Sequence, residues 1–263
     1  KYKGLLGMND LYSFFYWGDY NAQMAELAKR AQSEPWSFGN INDYSILKNY
    51  MKHTFQKLQS EGKIVTAKYY CIFNTGLYDN YNEPIYVYAE PNNRLGYSSW
   101  IFKGFKDRYE LGDLKIIDLP ERADYFSDPG KLIFNWHYPV NVHYEHILDD
   151  LNTAQRLPER IRTSDLALET LKGVIDSSIQ KVTANYKLAI PHYYNNRIQL
   201  MIPLYFNKNN IPDVALVLNE IDGKCYQART CLSMKMAYID ARIISKPDVF
   251  WLSFDTINAR EEE

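Results

Sequence analysis

Two groups of residues in this chain have types and spacings that suit chemistry. The first is His143-x-x-His146-x-x-Asp149-Asp150. On a helix His146 and Asp150 lie one turn apart on the same face, and His143 can join them. Two imidazoles and a carboxylate can hold an open divalent cation or share the work of acid and base. His146 and Asp150 are therefore the candidate catalytic pair. A divalent metal is the one cofactor that the pattern suggests, though it assigns no metal ligands, and the HExxH helix of a zinc hydrolase is absent.

The second group lies between Asn185 and Phe206, NYKLAIPHYYNNRIQLMIPLYF. Asn185, Lys187, His192, Tyr193, Tyr194 and Arg197 crowd the point where a helix hands over to a strand, a junction that commonly carries function. Arg and Lys suit phosphate, Asn and Gln suit base edges and sugar hydroxyls, and Tyr suits stacking. Tyr238 and Arg242 on a later helix could complete such a site, as could the basic helix face around Lys48 and Asn49. The competing structural reading has the tyrosines packing across a sheet and the arginines forming internal ion pairs. No P-loop, dinucleotide-binding glycine motif, nucleophile elbow or adenylation lysine motif is present. Whether the chain is an enzyme stays open at this level.

The elements that would position these groups can be read from periodicity. A helical run from Tyr20 to Gln32 buries Met24, Leu27 and Ala31. A second, capped by Asn42 or Asp43 and stopped before Gly62, buries Leu47, Met51, Phe55 and Leu58 and turns Lys48, Lys52 and Gln56 outward. From Lys63 the pattern changes to strands separated by Asn, Asp, Gly and Pro. Asn74-Thr75-Gly76 reads there as a turn with Gly76 at positive φ. The stretch from Leu111 to Ser164 reads as loop with short helices. The longest helix, capped by Thr163 or Ser164, carries the stripe Leu168, Leu171, Ile175, Ile179, Val182 and Tyr186 and ends at Pro191. An alternating strand from Ile198 to Phe206 follows, with Pro203 marking an edge or bulge. A hairpin around Asp222-Gly223 and a last helix from Ser233 to Ile243 complete the pattern. Segregated helices and strands predict an α+β class, with mainly antiparallel sheets flanked by amphipathic helices. One domain over 1–263 is expected, with 1–40 a helical extension and 255–263 a polar tail.

Composition narrows the function classes. A net charge of −2 over 263 residues excludes nucleic-acid binding through a global positive field, so any polyanion must be held locally. Aromatic residues make up 15% of the chain, with 23 Tyr, an excess suited to stacking as well as to a core. Three cysteines are too few and too irregularly spaced for a disulfide framework or a zinc ribbon, which favours a reducing cytoplasm. No apolar run reaches the roughly 18 residues of a membrane span. The first residue is Lys1 rather than Met, so neighbouring modules of a longer protein are to be considered.

Several segments, ILKNYMKHTF, FNTGL, FKGF, ERADYFSDP, HILDD, NYKLAIPHYYNNRIQLMIPL and MAYIDAR followed by KPD and WL, occur in this order between about Leu47 and Leu252. As a set they resemble the bacterial and archaeal domain-of-unknown-function 3825 family, whose members are often joined to OST-HTH (LOTUS) and cold-shock modules. The resemblance implies an RNA-directed role by association. It draws attention to Asn49, Asn74, Thr75, Gly76, Arg122, Asp124, Asp128, His146, Asp150, Asn185, Lys187, Tyr194, Arg197, Gln199, Tyr238 and Arg242. The family pattern has Gln at the position of His192 and an Asn-rich stretch at Ile239-Asp240. The expectation is therefore an RNA- or nucleotide-binding domain in RNA processing or RNA-linked regulation or defence. Its ligand residues would be Lys48, Asn49, Asn74, Thr75, Arg122, Asn185, Lys187, Tyr194, Arg197, Tyr238 and Arg242. An RNA phosphoesterase or end-modifying enzyme built on His146 and Asp150 is the alternative, and a protein-interaction scaffold the second.

Overall fold

The computed structural model describes residues 10–39, 41–94, 98–208 and 211–261. The chain divides into two compact units, Lys1–Asp124 and Tyr125–Glu263. Each is organised around its own five-stranded sheet. The boundary falls in the stretch that sequence periodicity assigns to loops.

The first unit runs α1 (Leu11–Phe14), β1 (Phe15–Tyr16), α2 (Tyr20–Arg30), α3 (Ser45–Ser60), β2 (Val65–Thr66), β3 (Cys71–Tyr78), β4 (Pro84–Pro91), β5 (Trp100–Lys106) and α4 (Arg108–Asp113). Its strand order is β1-β5-β4-β3-β2, with β1 parallel to β5 and the other pairs antiparallel. The rings of Phe15, Phe55 and Phe73 meet with centroids 5.4 to 5.7 Å apart, joining β1, α3 and β3 in one aromatic contact. Leu11, Met24 and Leu27 are fully buried with them. The N-terminal helices thus supply core rather than decorate it. On α3 all four predicted stripe residues, Leu47, Met51, Phe55 and Leu58, are buried.

Asn74-Thr75-Gly76 is not a turn but a bulge inside β3, where the register to β4 shifts after Asn74. The local chemistry is nonetheless as the residue types dictate. Gly76 has φ +77, and Asn74 Oδ1 accepts from its N–H at 2.8 Å. A bulge and a turn use the same residues, and only the pairing partner distinguishes them.

The second unit runs β6 (Val140–Val142), α5 (Tyr144–Asp149), α6 (Leu151–Ala154), α7 (Glu159–Arg162), α8 (Ala167–Ala184), β7 (Ile190–Tyr194), β8 (Arg197–Leu204), β9 (Val214–Ile221), β10 (Cys225–Ser233), α9 (Met234–Arg242) and α10 (Phe254–Glu261). The order is β6-β10-β9-β8-β7, antiparallel except for β6 beside β10. One face of this sheet carries Leu200, Ile202, Leu204, Leu216, Leu218, Tyr226, Ala228 and Cys231. These pack with Leu171, Ile175 and Val182 of α8 into a continuous apolar core. Each fully buried Leu or Ile there contributes roughly 1.5–3 kcal/mol.

The longest helix ends earlier than expected, at Ala184, because Asn185 leaves helical geometry and its Oδ1 accepts from Lys187 N–H. Pro191 consequently lies inside β7. The segment where the helix was expected to hand over directly to a strand is a hairpin: Asn195 and Asn196 both have positive φ, 47° and 59°, as a two-residue turn of the twist-matched kind requires. Pro203 lies past the last β7–β8 pair, Ile190↔Met201, where its missing N–H costs no ladder bond. Its carbonyl accepts from Ser178 Oγ at 2.7 Å. The polar end of the chain is a helix, α10, anchored by buried Ile257 and by Phe254 against Tyr238.

Candidate functional site

With one face of the second sheet committed to the core, strand alternation sends every intervening residue to the opposite face. On that face polar residues stand in cross-strand register. His192 on β7 is paired with Gln199 on β8, Gln199 Nε2 donates to Asn219 Oδ1 on β9 at 3.3 Å, Asn219 is paired with Gln227 on β10, and Gln227 with Asn141 on β6. A polar face opposite the core is common in antiparallel sheets; what sets this row apart is that His192 within it is buried.

A bulge in β10 adds to this row. Ala228 is paired with Leu218 and Cys231 with Leu216, so β10 has one residue more than β9 between those pairs. In a regular strand Arg229 and Thr230 would face opposite sides. Here both line the hollow on the polar face, which is how a bulge re-aims side chains. The bulge is held from α6. Asp150 caps that helix by accepting from Thr153 N–H at 3.0 Å. Thr153 Oγ1 then meets Thr230 Oγ1 at 3.1 Å. Arg156 Nη1 donates to the Cys231 carbonyl at 2.7 Å and to Thr230 Oγ1 at 3.3 Å.

The result is a hollow of about 360 Å³ lined by His192, Tyr194, Gln199, Asn219, Gln227, Arg229, Thr230 and Arg156 on the sheet side, and by Met236 and Asp240 one turn apart on α9. Its size falls within the range of small-ligand pockets. His192 is 2% exposed, and neither ring nitrogen has a hydrogen-bond partner. Burial lowers its pKa to about 4, so the ring is neutral at pH 7 and offers one donor and one acceptor. Burial pushes the Asp240 carboxyl up to about 6, with the Arg156 charge pulling it back. A neutral imidazole, a carboxyl that titrates near neutrality, two guanidinium groups and three amides can bind a polar, partly anionic molecule on several sides.

The structure distributes the residues singled out by sequence as follows. Tyr194 lines the hollow and is 49% exposed. Asn185, Lys187 and Arg197 are exposed, and Tyr238 and Arg242 are buried on the other side of α9. The helix thus presents Met236 and Asp240 where sequence favoured Tyr238 and Arg242. Lys48, Asn49, Asn74, Thr75 and Arg122 belong to the first unit. Thr75 Oγ1 donates to the Ile85 carbonyl and accepts from Leu77 N–H, while Asn74 Nδ2 donates to the Pro120 carbonyl. Both side chains are therefore committed to the protein's own backbone. Lys48 and Asn49 are half-buried on α3 and Arg122 is exposed. Asn49 Nδ2 is buried without a partner.

The pair His146 and Asp150 is not carried on one continuous helix. The helix α5 ends at Asp149, and Asp150 has extended backbone and caps α6. The Thr153 N–H bond holds its carboxyl below the usual carboxylate range. Exposed His146 lines a second, more open hollow of about 650 Å³ with His143, Glu145, Asp149 and Lys172. His143 Nε2 meets Gln227 Nε2 at 3.0 Å. Among the described residues no group of three or more His, Cys, Asp or Glu could hold a metal ion.

Sequence reasoning missed Arg156, Asn219, Gln227, Arg229, Thr230 and Asp240 as parts of one site. The usable signal was alternation: Gln199, Asn219 and Gln227 sit beside the core residues Leu200, Leu218, Tyr226 and Ala228 and so point to the face opposite the core.

No helix among the described residues is long and apolar enough to cross a membrane. Neither the curated proteins nor the solved structures contain a match to this chain. The sequence profile of a domain of unknown function, DUF3825, matches residues 27–251, which takes in most of both units. The chain belongs to the DUF3825 family.

Proposed function

We propose that this chain is an RNA- or nucleotide-binding domain whose ligand site is the polar face of the second sheet. The observation that carries this reading is the cross-strand row His192–Gln199–Asn219–Gln227 lining a hollow of about 360 Å³ together with Tyr194, Arg156 and Arg229. Amide side chains and a neutral imidazole are the groups that read base edges, Tyr offers a stacking face, and Arg holds phosphate. An unpartnered buried imidazole costs roughly 1–3 kcal/mol, a cost that a ligand hydrogen bond offsets. Local cations also answer the charge problem, since the net charge of −2 provides no global attraction.

On this reading the protein acts in RNA processing or RNA-linked regulation, and its three free cysteines suit a reducing cytoplasm. Filter binding with short single-stranded RNA at several salt concentrations tests it. Micromolar or tighter binding that weakens with salt is expected, because phosphate contacts release counterions. Absence of binding, or binding insensitive to salt, removes RNA as the ligand and leaves a free nucleotide to be tested. A phosphoesterase centred on His146 has less support, because Asp150 is occupied as a helix cap.

A further inference from the structure

We infer that the hollow takes one nucleotide unit in a fixed direction, with its phosphate at the β10 bulge and its base at the β7 edge. This rests on the proposed nucleotide-binding reading and specifies the chemistry recognised: a nucleoside carrying a phosphoryl group, whether free or within an RNA strand.

Charge along the hollow's lining is distributed unevenly, with Arg197, paired with Tyr194 on the same face, exposed at the turn outside that lining. Both cations of the hollow are tied to β10: Arg229 lies in its bulge, and Arg156 is bonded to Thr230 and Cys231. Arg156 spends only Nη1 on those bonds, and Arg229 makes no ion pair among the described residues. A guanidinium has five N–H donors, so both can turn a fork toward an anion. The Thr230 hydroxyl at the same place is engaged by Thr153 Oγ1 and Arg156 and holds the guanidinium there.

The opposite end carries no cation among the hollow's lining residues. There β7 and β8 present His192, Tyr194 and Gln199. The His192 ring is neutral and buried with both nitrogens unpartnered, so it can pair with one acceptor and one donor on a flat heterocycle but does not attract phosphate. Tyr194 at the sheet edge, half exposed, offers the stacking surface.

The distance between the ends matches. Three strand spacings separate β10 from β7 in the order β10-β9-β8-β7, roughly 14 Å at about 4.8 Å each. A span of that order accommodates one nucleotide with the guanidinium groups at one end. Asn219 and Gln227 lie between, and Asp240 on α9 stands over the hollow as an acceptor for sugar hydroxyls. A ligand bound the other way round would bring phosphate to an uncharged, largely desolvated imidazole and leave two guanidinium groups facing a base.

The experiment is calorimetric titration of the full chain with adenosine, cytidine, guanosine and uridine, each against its 5′-monophosphate. Inorganic phosphate and an RNA pentamer with and without a 5′-phosphate complete the set. The expected result is that at least one monophosphate binds about tenfold or more tightly than its nucleoside. Arg229→Ala should close that gap, while Tyr194→Ala weakens nucleoside and monophosphate by the same factor. Both residues are exposed, so the variants test the ligand rather than the fold; unchanged melting confirms this. Equal affinity for nucleoside and monophosphate, or an equal loss for both in Arg229→Ala, overturns the direction while leaving nucleotide binding in place. Binding of none of the probes overturns the functional reading itself. A pentamer that binds more tightly than every monophosphate assigns the phosphate to RNA, and the reverse order assigns it to a free nucleotide; both orders support the direction.

Discussion

Arg156 Nη1 donates to the carbonyl of Cys231 at 2.7 Å. Together with its bond to Thr230 Oγ1 and the Thr153–Thr230 hydroxyl contact, it fastens the segment at the end of α6 to the strand bulge that turns Arg229 and Thr230 toward the same hollow. Truncation of Arg156 leaves the Cys231 carbonyl with only a long side-chain bond from Thr230 Oγ1, at 3.5 Å, and loosens the bulge. Arg156→Met is expected to cost about 1–3 kcal/mol in denaturant unfolding. Arg156→Lys should recover only part of it, because a single ammonium cannot serve both acceptors with the geometry of a guanidinium.

Asp150 provides a second test, which separates a structural role from a catalytic one. As the cap of α6 it accepts from Thr153 N–H, and Asn is as good a cap as Asp. Asp150→Asn should therefore melt within experimental error of the wild type, whereas Asp150→Ala loses about 1 kcal/mol. Loss of RNA-directed activity in a stable Asp150→Asn protein would return the residue to catalysis.

The two titrating groups of the hollow predict opposite pH slopes. The folded His192 ring resists protonation down to about 4 while the unfolded ring titrates near 6.5. Its contribution, about 3 kcal/mol, is complete above 6.5 and is lost as pH falls toward 4. The folded Asp240 carboxyl keeps its proton up to about 6 against 3.8 unfolded. Its contribution is complete below 3.8 and is lost as pH rises through 6. Arg156 and Arg229 face the hollow with them. Relative to wild type, Asp240→Asn should steepen the rise of stability with pH between 4 and 6.5, and His192→Gln should tilt it the other way. Parallel profiles for all three proteins would contradict these environments.

In the first unit, Tyr50 Oη donates to the Thr75 carbonyl at 2.9 Å. The same oxygen would stand 2.5 Å from a Cβ added to Gly76, whose φ is +77. Gly76→Ala then pays both for a left-handed backbone, about 1–2 kcal/mol, and for displacing a buried ring. A loss of about 2–4 kcal/mol by urea unfolding is expected. Tyr50→Phe in the same chain should restore only the clash portion.

The fold was legible wherever a local pattern decides the outcome. Helix α3 and its stripe, the Asp222-Gly223 hairpin with both residues at positive φ, and the last helix beginning at Ser233 follow from residue types alone. The second hairpin was present in the sequence as Asn195-Asn196, but its strand, IPHYY, opens with a proline context that reads as a helix stop. Strand β6 has three residues and exists through its parallel pairing with β10, which no local pattern encodes.

The site was less legible because it depends on register. Gln199, Asn219 and Gln227 are 20 and 8 residues apart in sequence and become neighbours only when two hairpins fix their pairing. The bulge at Arg229-Thr230 is likewise set by partner strands and by Arg156, over 70 residues earlier. Sequence identified Tyr194 and placed His192 in the same candidate group. It could not reveal that burial would leave the His192 ring neutral and unpartnered.

The most direct test of a ligand site on this face is a titration of the ¹⁵N-labelled chain with a short single-stranded RNA and with nucleoside monophosphates, followed by amide chemical shifts. The account predicts that the largest changes fall on the side-chain amides of Gln199, Asn219 and Gln227 and on the backbone of His192 and Arg229. Changes confined to α3 around Lys48, or to α5 around His146, with the second sheet unmoved, would contradict it.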